Sequence, residues 1–185
     1  QKLQTSCGYS PNADEKRYNL LMPIFRKTMI AAAFLMLIAF IAYSLLQQSK
    51  VRNVVFTTIK GETISMSSLK GKVVLVNFWA TDCKSCVAEM PDLIKTYYQY
   101  QPRGFEIIAV AMPYDPPAQV VNFATQKALP FPVTHDSYAE ITQKFGDVKL
   151  TPTAYIYNKD GKRIQRAIGA LNFNKLHALL EEELR

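Results

Sequence analysis

Val73-Val74-Leu75-Val76-Asn77-Phe78-Trp79-Ala80-Thr81-Asp82-Cys83-Lys84-Ser85-Cys86 is the stretch from which the rest of the chain can be read. The run from Val73 to Trp79 is apolar apart from Asn77, the pattern of a central strand buried on both faces of a parallel sheet. A helix is expected from about Lys84 to Tyr100, which places Cys83 at its first turn. Unpaired backbone N–H groups and the positive end of the helix dipole favour a thiolate there. Cys86 follows one turn later on the same face, where its sulfur can reach that of Cys83. A nucleophilic thiol and a resolving thiol are the minimum for thiol–disulfide exchange through a mixed disulfide. A structural disulfide, or half of a metal site, is the alternative reading of the pair.

Outward from this stretch the elements alternate. Val54–Ile59 and Thr63–Met66, joined across Gly61-Glu62, read as an N-terminal hairpin. Ser67 to Lys72 is a turn into the central strand. Pro91 removes a backbone donor inside the helix that follows and is expected to kink it. Phe105–Ala111 reads as a strand, Pro116–Ala128 as a helix with Val120, Val121 and Ala124 on one side, Phe131–Thr134 as a short strand, and Tyr138–Phe145 as a short helix. Ala154–Tyr157 and Arg163–Ile168 are strands joined through Asn158-Lys159-Asp160-Gly161, a hairpin signal. Asn172 is placed to cap a last helix in which Phe173, Leu176, Leu179 and Leu180 recur at helical spacing.

The 185 residues suit one domain plus an appendage. The formal charge of +7 is uneven. Residues 1–50 carry six Lys/Arg against two Asp/Glu, and residues 51–185 carry sixteen against thirteen. The folded part thus has no concentrated basic patch, and nucleic acid is not an expected partner. Three cysteines make no disulfide framework: one pair, plus Cys7 as a bystander with no apolar region before it. Residues 1–28 read as a tail, and Met22 is a possible natural start. Met29 to Leu46 holds no charge and no proline, and as a helix spans roughly 27 Å, about one hydrocarbon thickness. It reads as a transmembrane anchor; a cleaved signal peptide is the rival, with Ala42-Tyr43-Ser44 as a small-x-small site. Lys16, Arg17, Arg26 and Lys27 precede it, and Lys50, Arg52 and Lys60 follow. By the positive-inside rule the N-terminus is narrowly favoured as cytoplasmic. A linker at 47–52 and a domain at 53–185 complete the division.

Phe78-Trp79-Ala80, Cys83-x-x-Cys86 and Pro91 five residues later, with Thr151-Pro152-Thr153 downstream, resemble the thioredoxin superfamily. Leu69-Lys70-Gly71-Lys72 and Cys86-Val87-Ala88-Glu89-Met90-Pro91 resemble its membrane-anchored TlpA/ResA branch, over about residues 53–183. The resemblance implies an α/β thioredoxin-like fold with an N-terminal β-hairpin and an extra helix–strand insertion at about 116–134, preceded by one transmembrane helix. It also implies a catalytic domain outside a bacterial cytoplasmic membrane, on the periplasmic or extracytoplasmic side. The expected activity is protein thiol–disulfide exchange without a cofactor. Reduction of specific disulfides, as in apocytochrome c or a copper-assembly protein, and recharging by a membrane dithiol donor are what the resemblance suggests. A copper-binding or assembly-scaffold protein using the same cysteines as ligands is the alternative.

Cys83 is then the attacking thiolate and Cys86 the resolving thiol. A free thiol titrates near ~8.5, and a helix start lowers this; Asp82 opposes that effect and Lys84 adds to it. Related proteins carry an aromatic residue where Asp82 stands. Glu89, one turn after Cys86, matches a glutamate linked in the ResA-like branch to proton handling, and a half-buried carboxyl there can take the Cys86 proton. Asn77 stands where thioredoxin itself keeps a buried aspartate. Thr151-Pro152 resembles the superfamily's cis-proline loop, whose backbone pairs with an extended substrate. Trp79 is expected either to shape the edge of the substrate site or to be plain core. His135 and His177 could serve Cu(I), but a loop role for His135 and a surface role for His177 are the simpler readings, and no metal is expected.

Overall fold

A computed structural model describes residues 26–44 and 54–185. The chain divides into two compact units, Gln1–Leu46 and Gln47–Arg185. In the first, helix α1 covers Arg26–Ser44 and is long and apolar enough to cross a membrane, and none of its residues is buried. It begins three residues before the expected span and takes in Arg26 and Lys27. The tail through residue 25, Cys7, Met22, Leu45-Leu46 and the linker at 47–52 lie outside the described residues.

The second unit is built on a five-stranded sheet. Its strands are β3 (Val73–Trp79), β4 (Phe105–Ala111), β5 (Val133–His135), β6 (Thr153–Tyr157) and β7 (Arg163–Ile168), in the spatial order β5-β4-β3-β6-β7. A separate hairpin, β1 (Val55–Thr57) with β2 (Thr63–Ser65), precedes it. The helices are α2 (Lys84–Tyr100), α3 (Pro117–Gln126), α4 (Glu140–Lys144) and α5 (Phe173–Glu183). The expected elements are all present: β3, β4, β7 and α2 have the expected bounds, β6 starts one residue earlier, and the others with stated bounds are one to three residues shorter, because terminal residues of strands and helices lack partners on one side. The strand expected at 131–134 instead runs 133–135, where β4 offers Ala109, Val110 and Ala111 as partners.

β3 is the centre of the sheet and all seven of its residues are buried. It runs parallel to β4 but antiparallel to β6, so the sheet is mixed rather than all-parallel. Alternation along β3 sorts its side chains between two cores. Val73, Leu75 and Trp79 pack with Met90 and Leu93 of α2, Val120 of α3, and Leu176 and Leu180 of α5. Val74, Val76 and Phe78 face the other way, against Phe56, Ile108, Phe145 and Tyr155. Asn77 shares the parity of Leu75 and Trp79, so this fully buried amide points to the α2 side.

Two features set the end of the sheet where the cysteines lie. β3 and β4 run parallel, so their C-terminal ends coincide there. β6 runs antiparallel to β3 with Phe78 opposite Thr153, which brings the start of β6 to the same end. Helix α2 continues through Pro91. Asn172 caps α5, its side chain accepting from the Lys175 N–H at 3.1 Å.

Candidate active site

Cys83 is the N-cap of α2, with extended backbone and its sulfur accepting from the Cys86 N–H at 3.2 Å. That N–H is one of the orphan donors of the helix start, and a thiolate freed at Cys83 would keep it as a partner. The two sulfurs form a disulfide of 2.05 Å, with Cα atoms 5.2 Å apart. Their environments differ. Cys86 is completely buried, whereas Cys83 is half-buried and packs against both cores. Only Cys83 is therefore accessible to a second protein. Ser85 Oγ lies 3.5 Å from the Cys83 sulfur. Asp82 and Lys84 are both exposed, so water screens their opposing charges.

Glu89 is 5 % exposed and lies one turn beyond Cys86. Its Oε2 accepts from the Leu171 N–H at 3.1 Å, and its Oε1 has no partner. Burial pushes the Glu89 carboxyl above the ordinary glutamate range; the Leu171 N–H and the nearby Asn77 amide pull it partly back. Neither polar atom of the Asn77 side chain forms a hydrogen bond. β3 and α2 thus enclose two incompletely paired polar side chains, Asn77 and Glu89, in a largely apolar core. A carboxyl raised in this way holds a proton more readily than an exposed glutamate and can exchange it with a neighbouring thiol. Folding favours the protonated form, so its contribution is present below the ordinary glutamate value and is lost as pH rises through the folded one. Glu89→Gln, which keeps an acceptor for Leu171, is expected to flatten this pH dependence and to change the pH profile of thiol reactivity at the cysteine pair. Superimposable profiles for the two proteins would remove Glu89 from proton handling.

The Thr151–Pro152 bond is cis. Pro152 is buried and Thr151 half-buried at the cysteine end of the sheet. The loop is fastened by the Thr153 hydroxyl donating to Leu150 O at 2.7 Å and by Gly169 N–H donating to Pro152 O at 2.8 Å. Among the described residues nothing pairs with the Thr151 backbone N–H or C=O, which leaves them available to an extended chain. Tyr114 was not picked out by the sequence reading. It is 56 % exposed, with its hydroxyl 3.4 Å from Thr151 Oγ1, and Leu150, the residue before Thr151, is exposed as well. An aromatic residue in a loop gives no periodic signal, and only the meeting of the β4–α3 turn with the loop before β6 reveals it.

Trp79 requires a correction to its expected contact with substrate. It is fully buried, its ring 5.1 Å from that of Phe123, and its indole N–H has no partner. Strand parity turns Trp79, the last residue of β3, into the core shared with α2 and α3. Neither histidine joins the cysteines. His135 contacts Asp115 O at 2.7 Å and Ser137 Oγ at 2.8 Å, and half-buried His177 contacts Thr96 Oγ1 at 2.9 Å. No group of three or more His, Cys, Asp or Glu among the described residues could hold a metal ion. A hollow of about 480 Å³ between the β1–β2 hairpin and the end of α3 includes none of the site residues.

The profile of the Redoxin family matches residues 46–180. The chain belongs to the Redoxin family. Within it, the similarity is to thiol–disulfide oxidoreductases called ResA. The Bacillus thuringiensis protein is 38 % identical over 130 residues, covering 70 % of this chain and 74 % of that one. The Bacillus subtilis protein is 32 % identical over 134 residues, 72 % of this chain and 74 % of that one. Among solved structures, a thioredoxin candidate from Neisseria meningitidis has a TM-score of 0.68 and 34 % identity, covering 72 % of this chain and 89 % of that one. StoA from Bacillus subtilis has a TM-score of 0.58 and 26 % identity, over 68 % and 93 %. This Redoxin-family chain therefore has the thioredoxin-like fold, and it is a ResA-like thiol–disulfide oxidoreductase with its Cys83–Cys86 pair at bonding distance.

Proposed function

We propose that this oxidoreductase is an exported, membrane-anchored reductant of specific protein disulfides, acting in cytochrome c maturation or copper-site assembly. The observation that carries the exchange chemistry is the asymmetry of the pair, one sulfur half-buried and the other sealed. In the dithiol form the Cys83 thiolate attacks one sulfur of a client disulfide. The Cys83–client bond forms, the client S–S bond breaks, and the client's departing thiolate takes up a proton. The Cys86 thiol gives its proton to Glu89 and attacks the Cys83 sulfur. The second client thiolate leaves, and the Cys83–Cys86 disulfide remains with two electrons passed to the client. A dithiol donor at the membrane restores the pair.

Several features support this assignment. The unpaired Thr151 backbone suits an extended polypeptide, with Tyr114 and Leu150 beside it. Helix α1 has the length and composition of an anchor or a signal sequence, and in a bilayer the long side chains of Arg26 and Lys27 could reach headgroups. Tethering raises the effective concentration near membrane partners without a new contact. The catalytic domain would then lie on the extracytoplasmic side of the bacterial cytoplasmic membrane.

The test sets reductase activity against copper binding. Reduced protein is expected to reduce a cysteine-pair disulfide in apocytochrome c stoichiometrically, and to stay with the membrane fraction after a high-salt wash. Tight 1:1 Cu(I) binding in an anaerobic titration, lost in Cys83→Ser and unaccompanied by any disulfide reduction, would replace this reading with the copper-scaffold one. Both histidines are engaged elsewhere, which argues against that second reading.

A further inference from the structure

A second buried carboxylate lies at the cysteine end of the sheet and takes no part in the steps above. Asp115, in the turn between β4 and α3, is 2 % exposed. Its Oδ2 accepts from the Thr81 N–H at 2.6 Å, and its Oδ1 accepts from the Thr81 hydroxyl at 2.6 Å. Its own N–H donates to Met112 O at 3.1 Å. Its C=O accepts from His135 Nε2 at 2.7 Å, which places the imidazole proton on Nε2 and leaves Nδ1 for Ser137 Oγ. Thr81 Oγ1 also lies 3.2 Å from Gln119 Oε1. The hydroxyl has one proton and gives it to Asp115, so Gln119 pairs only with its amide turned to donate.

Thr81 is two residues before Cys83. The Cys83 N–H donates to Ala80 O at 3.2 Å, closing the same turn from its other side. The segment carrying the nucleophile is thus held by a two-oxygen clamp from a different part of the chain, through bonds to a buried anion, the stronger class of hydrogen bond. Asp115 also ties this turn to the α3–β5 unit, through His135 at the end of β5.

We propose that Asp115 is a positioning residue for disulfide exchange: it clamps the Thr81–Cys83 turn onto the start of α2, and its negative charge biases the cysteine pair toward the disulfide. The proposal rests on the exchange reading above. The charged or titratable groups on the segments at this end of the sheet include Asp82 and Lys84 beside Cys83, Glu89 on α2, Tyr114 beside Asp115, His135 on β5, and Lys149 before β6, which is exposed and paired with Asp147 at 3.0 Å. The exposed charges are screened by water, while Asp115 and Glu89 act through protein. A buried anion bonded to Thr81, two residues before Cys83, opposes a thiolate there. Its removal stabilises the dithiol state relative to the disulfide.

The test is equilibration of the full chain with glutathione redox buffers, together with alkylation of Cys83 by iodoacetamide as a function of pH. Asp115→Asn keeps the shape and removes the charge. It is expected to shift the equilibrium toward the dithiol by about three- to tenfold, and to move the alkylation midpoint to lower pH. Thr81→Val keeps the charge and the backbone bond but removes the hydroxyl. It is expected to slow client reduction at least about threefold, with the redox equilibrium moved less than about twofold. An Asp115→Asn protein that melts like the parent and leaves both readouts in place, or moves them toward the disulfide, overturns the proposal. If Asp115→Asn does not fold, Thr81→Val decides alone, and an unchanged rate overturns it. A parent protein that fails to equilibrate with glutathione at all would instead sink the exchange reading.

Discussion

Cys83→Ser is expected to abolish disulfide reduction, by roughly three orders of magnitude or more as for other catalytic nucleophiles, while Cys86→Ser stalls after one attack. The two outcomes differ because burial separates the sulfurs. Cys83 is the one a client sulfur can approach, and Cys86 has no exposed surface. Without Cys83 no thiolate reaches the client. Without Cys86 the Cys83–client bond forms but nothing inside the fold can resolve it. The Cys86→Ser protein should accumulate as a covalent adduct on non-reducing gels, released by dithiothreitol, and those adducts identify the clients. The measurement is turnover of a protein disulfide by each variant, with adduct formation scored in parallel. Residual turnover above about a tenth in Cys83→Ser, or adducts formed through Cys86 instead, would overturn the assignment of roles.

Trp79→Ala is expected to destabilise the oxidised protein by ~3–5 kcal/mol, the range for emptying a large aromatic site in a core. Trp79 is fully buried against Phe123 at the junction of α2, α3 and the sheet, so its truncation leaves a cavity that surrounding strands cannot close. Trp79→Phe should cost much less. It removes a buried indole N–H that has no partner, and relief of that group offsets part of the lost volume. Denaturant midpoints for the parent and both variants check this. A loss below about 1 kcal/mol for Trp79→Ala, with weaker client binding instead, would return Trp79 to the substrate surface.

The strand–turn–helix around the cysteines was legible because several local signals agree there. An apolar run too short for a spanning helix, two cysteines at one-turn spacing and a helical pattern after them admit few other arrangements. The hairpins and the last helix were equally plain, from Gly61, Asn158–Gly161 and Asn172. What failed locally was depth. Trp79 read two ways along the chain, as surface or as interior, and Glu89 read as only half-buried. Strand parity and α5 decided both: Trp79 turns inward, and Leu171 donates its N–H to a carboxylate already shut away from water.

The amino-acid order alone determined that this protein carries a reactive cysteine pair at a helix start, set on a central strand within an α/β domain, because those features depend on neighbours three or four residues apart. Tertiary structure alone decided which cysteine is accessible, that a carboxyl is buried beneath the pair, and that Asp115 and Tyr114 come to the same end of the sheet as Cys83 and Thr151. Those facts depend on strand order and direction. Residues 34 and 37 positions apart become neighbours only when β6 pairs antiparallel with β3 and the β4–α3 turn folds back over the cysteine turn.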